Sequence, residues 1–320
     1  MAGLAATPSP LPAVACSSRA LSSQGPTSRD TMPATAAADE TQLPDIRSVA
    51  PDLTVPPLLE GRDPAPGCRV RVTTAEGSRL SHVLYLPEDW RPGARYPVLV
   101  ELAGNGPYED DRGDVSTGLV EGSNMGYGLS AGRGCLWLCL PYLNAAGDAN
   151  VRQWWGDPPD HDPRPTLEYA KRTVAQVCRD FGGDTERVVL MGFSRGAIAC
   201  GFLGLHDDEV AQLWCGMLAF SHYDGVRDWP YPGSGRGQAA ARLRRLGGRP
   251  QLIVSESTTQ LNATREFLDA ELDGGLPGQL TYLHCGYPNH NDTWTLRPGE
   301  ARDRARRWLQ VVAQLDLSKL

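Results

Sequence analysis

The stretch Met191–Ala197, Met-Gly-Phe-Ser-Arg-Gly-Ala, constrains this chain more than any other. It sets Ser194 between Gly192 and Gly196 directly after the apolar run Val188–Leu190, a pattern that reads as a strand running into a tight turn. A serine at such a turn sits on a strained backbone, and the glycines beside it let neighbouring chain approach where a Cβ would clash. The residues that follow, Ala197 to Leu203, are small and apolar, suited to a helix packed on a sheet with its positive end directed at the serine. In an ordinary strand-to-helix turn Ser194 would merely cap that helix. The rest of the chain decides between a cap and a reactive hydroxyl.

At 320 residues and 41% hydrophobic content the chain can bury one sizeable core. Its net charge of -7, with 31 basic against 38 acidic residues, leaves no basic footprint for nucleic acid or an anionic membrane. Its longest apolar runs, such as Cys135–Leu140, fall far short of the ~20 residues that cross a bilayer. Residues 1–45 are mostly Ala, Ser, Thr and Pro and cannot bury enough surface to offset their ordering entropy, so a disordered extension is expected there and a folded domain over 46–320. A signal peptide is the alternative, but the basic flank is missing and Pro8, Pro10 and Pro12 interrupt the weak apolar stretch. A start site placed upstream of Met32 would account for the segment equally well.

Of the 8 cysteines, Cys135, Cys139, Cys178, Cys200 and Cys215 fall in expected strands or helices, where a thiol behaves as a small hydrophobe. Their spacing has no metal-site pattern, and no metal is expected. Free core thiols favour a reducing, cytoplasmic compartment over secretion.

From Gly67 onward strands and helices alternate. Cys68–Thr74 and His82–Leu86 read as an antiparallel pair, and Tyr96–Leu102 as a strand buried on both faces of a parallel sheet. That strand runs into Gly104-Asn105-Gly106, a turn that could equally present a backbone N–H to an oxyanion. Residues 107–133 read as a long loop. Cys135–Leu140 is the next strand, and beyond it Tyr142, Trp154 and Trp155 form either a substrate wall or the cover of a satellite cluster. Thr166–Phe181 is a helix with Pro165 at its start, stopped by Gly182-Gly183. Leu213–Phe220 is a strand followed by Ser221-His222-Tyr223-Asp224-Gly225, and the basic helical piece Ala239–Leu246 reads as a solvated face. Leu252–Ser255 is a strand followed at once by Glu256; helix Ala263–Leu272 and the last strand Leu280–Leu283 lead to the loop carrying His290, and helix Arg302–Leu315 closes the chain. This rhythm predicts a doubly wound, three-layer α/β fold.

The chain order of serine after a strand, acid after a late strand and histidine after the last strand, together with the Gly-x-Ser-x-Gly turn, resembles the α/β-hydrolases from about residue 66 to the end. Within them it is most similar to single-domain serine esterases of the feruloyl esterase and polyhydroxyalkanoate depolymerase type. The resemblance implies a three-layer sandwich on a mostly parallel sheet, with Ser194 as nucleophile and His290 as base. It implies oxyanion donors from the Arg195 N–H and from Gly104, Asn105 or Gly106, and a pocket walled by Tyr142, Trp154, Trp155 and Tyr223. His284, inside the last strand, is expected to be structural. For the acid, Glu256 and Asp224 both remain: Glu256 follows the commoner strand, where the usual Asp a few positions later is replaced by Thr258 and Thr259, and Asp224 follows the strand before it. The implied activity is cleavage of a small-molecule or polymer-linked ester through an acyl-enzyme, without cofactor. A serine peptidase or acyltransferase would use the same three residues, and a binding protein could keep the fold without the chemistry.

Overall fold

The computed structural model describes residues 40–74, 77–272 and 279–315. The expected N-terminal extension lies outside the described residues up to position 39. Its last residues are described: Glu40–Gln42 forms a short 3₁₀ turn, and the Glu40 carboxylate accepts the backbone N–H of Thr258.

Nine strands form one sheet: β1 (Leu58–Leu59), β2 (Arg69–Thr73), β3 (Ser81–Tyr85), β4 (Tyr96–Leu102), β7 (Leu136–Leu140), β8 (Gly183–Phe193), β9 (Gly216–Phe220), β10 (Gln251–Ser255) and β11 (Leu280–His284). Their spatial order is β1-β2-β3-β7-β4-β8-β9-β10-β11. Strand β3 is antiparallel to both neighbours, β2 and β7, and from β7 to β11 every pairing is parallel. Each parallel pairing needs a crossover, and the crossovers lay helices on both faces.

Alternation along the central strands divides the core. Val98, Val100 and Leu190 point to one face, where they meet α2 (Arg164–Phe181), α3 (Arg195–Phe202), α5 (Arg236–Leu243) and α6 (Thr258–Glu271). Leu99, Val189 and Met191 point to the other and meet α1 (Met125–Ser130) and α7 (Glu300–Val312). A short helix, α4 (Asp208–Ala211), follows α3. Parallel register brings the strand ends together: Leu102 lies beside Gly192, Phe193 beside Phe220, and Ser255 beside His284. The segments that follow β4, β8, β9, β10 and β11 therefore emerge together beyond the carboxyl ends of the parallel strands, the place where ligands bind in doubly wound folds.

The expected long loop at 107–133 is corrected. It contains a hairpin, β5 (Tyr108–Glu109) with β6 (Val115–Ser116), and the buried helix α1. Two-residue strands are too short to leave a periodic signal. Helix α1 is glycine-rich and forms for a tertiary reason: the carboxylate of Glu101 on β4 accepts from the N–H groups of Asn124 (3.0 Å), Met125 (3.1 Å) and Gly126 (2.7 Å), capping the first turn from the strand it packs on. Burial pushes the Glu101 carboxyl up, against these donors and the indole N–H of Trp137 at 2.7 Å. The basic piece near 239–246 is not wholly solvated either, because Arg242 turns inward to a buried ion pair.

Candidate active site

Ser194 joins β8 to α3 with φ 54° and ψ -113°, a strained conformation for a residue with a Cβ. The turn is tight enough to exclude any side chain at its two glycines. A Cβ on Gly192 would lie 2.2 Å from the backbone of Gly196, and one on Gly196 would lie 1.9 Å from the carbonyl oxygen of Leu102. The Ser194 N–H donates to Phe220 O at 2.9 Å, which ties the turn to the end of β9.

The Ser194 hydroxyl lies 3.1 Å from His290 Nε2, and His290 Nδ1 lies 2.7 Å from Glu256 Oε1. Glu256 is buried at the tip of β10. Burial alone would raise its carboxyl, but the hydrogen bond and charge of His290, with the Ser221 hydroxyl, hold it below the usual carboxylate range. The His290 ring rests against Phe193, 4.7 Å between centroids, with Tyr108 of the β5–β6 hairpin edge-on at 5.4 Å. Both flanking residues are anchored: Asn289 and Asn291 each donate a side-chain amide to the buried carboxylate of Asp114, at 3.1 and 3.0 Å. The hairpin thus holds the histidine loop through one carboxylate.

Asp224, the other expected candidate acid, is not brought to His290. It takes two hydrogen bonds from Arg242, at 2.9 and 3.0 Å, under the helices of one face. His284 donates Nε2–H to the carbonyl of Glu256 at 3.0 Å and accepts from Gly286 N–H, contacts that steady the strand end carrying Glu256 in the way its place inside the strand leads one to expect.

Beside Ser194 opens a cleft of about 380 Å³. Of the four expected wall residues only Trp154 lines it, together with Tyr108, Ile198 and Trp229. Tyr142, Trp155 and Tyr223 are corrected to core residues. Trp155 stacks on Phe202 at 4.7 Å, Tyr223 donates its hydroxyl to Gln251, and Tyr142 lies under the Arg195 guanidinium. An aromatic on a loop packs inward wherever a cluster can desolvate it, and sequence alone does not say which one does.

Of the expected oxyanion donors, the Arg195 N–H sits at the first position of α3, where a helix supplies no acceptor. The Gly106 N–H is taken by Arg152 O at 2.9 Å. No protein group among the described residues accepts from the Asn105 N–H, and Asn105 lines the cleft.

Sequence reasoning missed Ser221, Asp114 and His222. Ser221 donates to Glu256 at 2.8 Å from a backbone at φ 87°. His222 lines the cleft with Nδ1 3.0 Å from Gln260 Oε1. Burial, and the neighbouring His290, lower its imidazole to about 4, which leaves it neutral at pH 7. The only signal for these residues was their place in strand-end loops.

Among the described residues no cluster of His, Cys, Asp and Glu could hold a metal ion, and no helix is long and apolar enough to cross a membrane. The seven described cysteines are free thiols, and Cys135, Cys139, Cys178 and Cys200 are buried.

The sequence matches no protein-family model and no curated protein. Solved structures do match. An acetyl ester-xyloside bifunctional hydrolase from Caldicellulosiruptor lactoaceticus is 13% identical at a TM-score of 0.51, over 80% of this chain and 99% of that one. Esterase 2 of Thermogutta terrifontis, in a structure phosphorylated by paraoxon, is 15% identical at 0.51, over 78% and 96%. A protein assigned as a dipeptidyl aminopeptidase IV from Bacteroides ovatus is 16% identical at 0.50, over 76% of this chain. The chain spans 35% of the length of that protein and 61% of a thermostable esterase that it also matches. At such identities the likeness speaks for architecture, and it agrees with the strand order and the glycine-flanked serine turn: this protein has the α/β-hydrolase fold.

Proposed function

We propose that the protein is a serine hydrolase acting as a carboxylesterase, with Ser194 as nucleophile, His290 as general base and Glu256 as the acid that orients it. The observation that carries this reading is the row Ser194 Oγ, His290, Glu256 Oε1, linked at 3.1 and 2.7 Å. With Nδ1–H donated to Glu256, the free Nε2 accepts the Ser194 proton as Oγ bonds to an ester carbonyl carbon. The carbonyl oxygen becomes an oxyanion facing the N–H groups of Arg195 and Asn105. Collapse breaks the bond to the alcohol, which leaves with the proton from Nε2. Water then attacks the acyl-enzyme by the same path and releases the acid. No step requires a cofactor.

The ester class is supported by the aromatic-walled cleft beside Ser194 and by the esterases among the structural neighbours. A peptidase or an acyltransferase would share every catalytic atom named here. The test is labelling with a fluorophosphonate probe, followed by a panel of activated esters, aminopeptidase substrates and acyl acceptors. Wild type should be labelled at Ser194 and cleave the esters, whereas Ser194→Ala should do neither, with an unchanged melting temperature. An unlabelled wild type would make the fold a non-catalytic scaffold, and cleavage of the peptide substrates in preference to the esters would move the protein to the peptidases.

A further inference from the structure

The residue after the nucleophile carries a charge that the reaction as described does not use. The Arg195 guanidinium is fully buried, and no carboxylate among the described residues pairs with it. It is solvated by backbone instead: NH1 donates to Trp154 O at 2.7 Å, and NH2 donates to Gly104 O at 2.8 Å and Gly118 O at 3.0 Å. Its plane lies 3.7 Å from the ring centroid of Tyr142, whose hydroxyl donates to Ala103 O at 3.0 Å. Burial lowers the guanidinium to about 10, so it stays protonated at neutral pH. Burying a cation without a counter-ion is costly, and a neutral side chain would serve for packing alone. Three segments meet on it: the loop after β4, the loop after β6, and the stretch that carries Trp154.

One of these contacts bears on the chemistry. The carbonyl of Gly104 and the N–H of Asn105 belong to a single planar peptide unit, and in a trans peptide they point in opposite directions. A guanidinium that holds the carbonyl on one side therefore fixes the N–H on the other, and it polarises that N–H into a stronger donor. The Asn105 side chain is fixed as well, accepting Trp154 N–H at 2.9 Å, while Gly106 N–H is tied to Arg152 O.

We propose that Arg195 builds the oxyanion site twice over: its own N–H is one donor, and its side chain, by holding the Gly104 carbonyl, orients and polarises the Asn105 N–H that is the other. The side chain acts as a positioning residue: it works through that peptide and touches no substrate atom itself. This inference rests on the serine hydrolase reading above. The planar fork of arginine suits the task because its separate nitrogens reach carbonyls on three different segments in a fixed geometry, whereas an ammonium donates from a single point.

The test compares wild type with Arg195→Met and Arg195→Lys, using the second-order rate of fluorophosphonate labelling, which needs no knowledge of the natural substrate. In that reaction Ser194 Oγ bonds to phosphorus, fluoride leaves, the hydroxyl proton passes to His290, and negative charge grows on the phosphonyl oxygen in the oxyanion site. The Met variant should lose about 10²-fold in rate and the Lys variant about 10-fold, the scale set by the loss of one oxyanion donor. The low-field proton resonance of the His290–Glu256 hydrogen bond should persist in both. A Met variant labelled within about 3-fold of wild type would overturn the proposal. Loss of that resonance together with the rate would also overturn it, since the side chain would then support the histidine rather than the oxyanion peptide. Failure of both variants to fold would make Arg195 a folding determinant and equally sink it. Wild type that is itself unlabelled would remove the hydrolase reading, an outcome distinct from a labelled wild type with unaffected variants.

Discussion

The hydroxyl of Ser221 donates to Oε1 of Glu256 at 2.8 Å, the same oxygen that His290 Nδ1 meets at 2.7 Å. One carboxylate oxygen thus serves both groups, and Ser221 holds it from the tip of the neighbouring strand. Ser221→Ala removes a donor to the ionised carboxylate, so the Glu256 carboxyl should rise toward its ordinary range. We expect turnover to fall about 10-fold and the acid limb of the kcat–pH profile to move to higher pH. An unshifted profile with full turnover would reduce Ser221 to a packing role.

The two candidate acids should separate cleanly by experiment. Glu256→Gln should lower turnover at least ~100-fold with little change in melting temperature, since a triad acid sets the histidine tautomer. Asp224→Asn should lower turnover less than ~10-fold but destabilise the fold, because Arg242 is left buried without its partner, a loss on the order of 3–5 kcal/mol for a broken buried pair. Turnover and thermal melts on the same two proteins decide the matter, and the reverse ranking would transfer the acid to the end of β9.

Asp114 anchors the histidine loop through Asn289 and Asn291. Asp114→Ala leaves two amides without their acceptor and frees the ring to wander. Turnover should drop by about 10- to 100-fold while KM stays near wild type, because positioning of the base is lost and Asp114 itself does not line the cleft. Steady-state kinetics check this, and a change confined to KM would contradict it.

Asp292 is buried behind the site, where its carboxylate accepts from the Asn124 side chain at 2.8 Å. Burial, reinforced by the charge of Glu101, raises its carboxyl to about 8. The folded state then holds this proton more tightly than the unfolded chain does. The associated stability is fully present below about pH 4 and is lost as pH rises toward 8. Asp292→Asn should therefore raise the melting temperature at pH 8 and change it little at pH 4. Equal effects at the two pH values would show that the Asp292 carboxyl is ionised over this range in the folded protein, as it is in the unfolded chain.

Much of the architecture is legible in the sequence because it depends on local rules. Continuous apolar runs mark the parallel strands, glycines at 192 and 196 mark a turn too tight for side chains, and chain order singled out Ser194 and His290, which the fold brings within 3.1 Å. Helix α1 escaped because its cap, Glu101, comes from another strand, and Ser221, Asp114 and His222 escaped because strand-end loops carry no periodic signal. Only tertiary structure shows which carboxylate meets His290. Glu256 and Asp224 both follow strands, and their fates diverge because Arg242 turns inward to take Asp224, leaving Glu256 to face His290. The same holds for the aromatics: Trp154 and Trp155 are neighbours in the chain, yet one lines the cleft and the other is buried against Phe202. Secondary structure follows from backbone preference and side-chain period, which a segment carries in itself. The partner that a charge or a ring finds depends on segments as distant as Asp114 and Asn289, 175 positions apart, and is settled only when the sheet register brings them together.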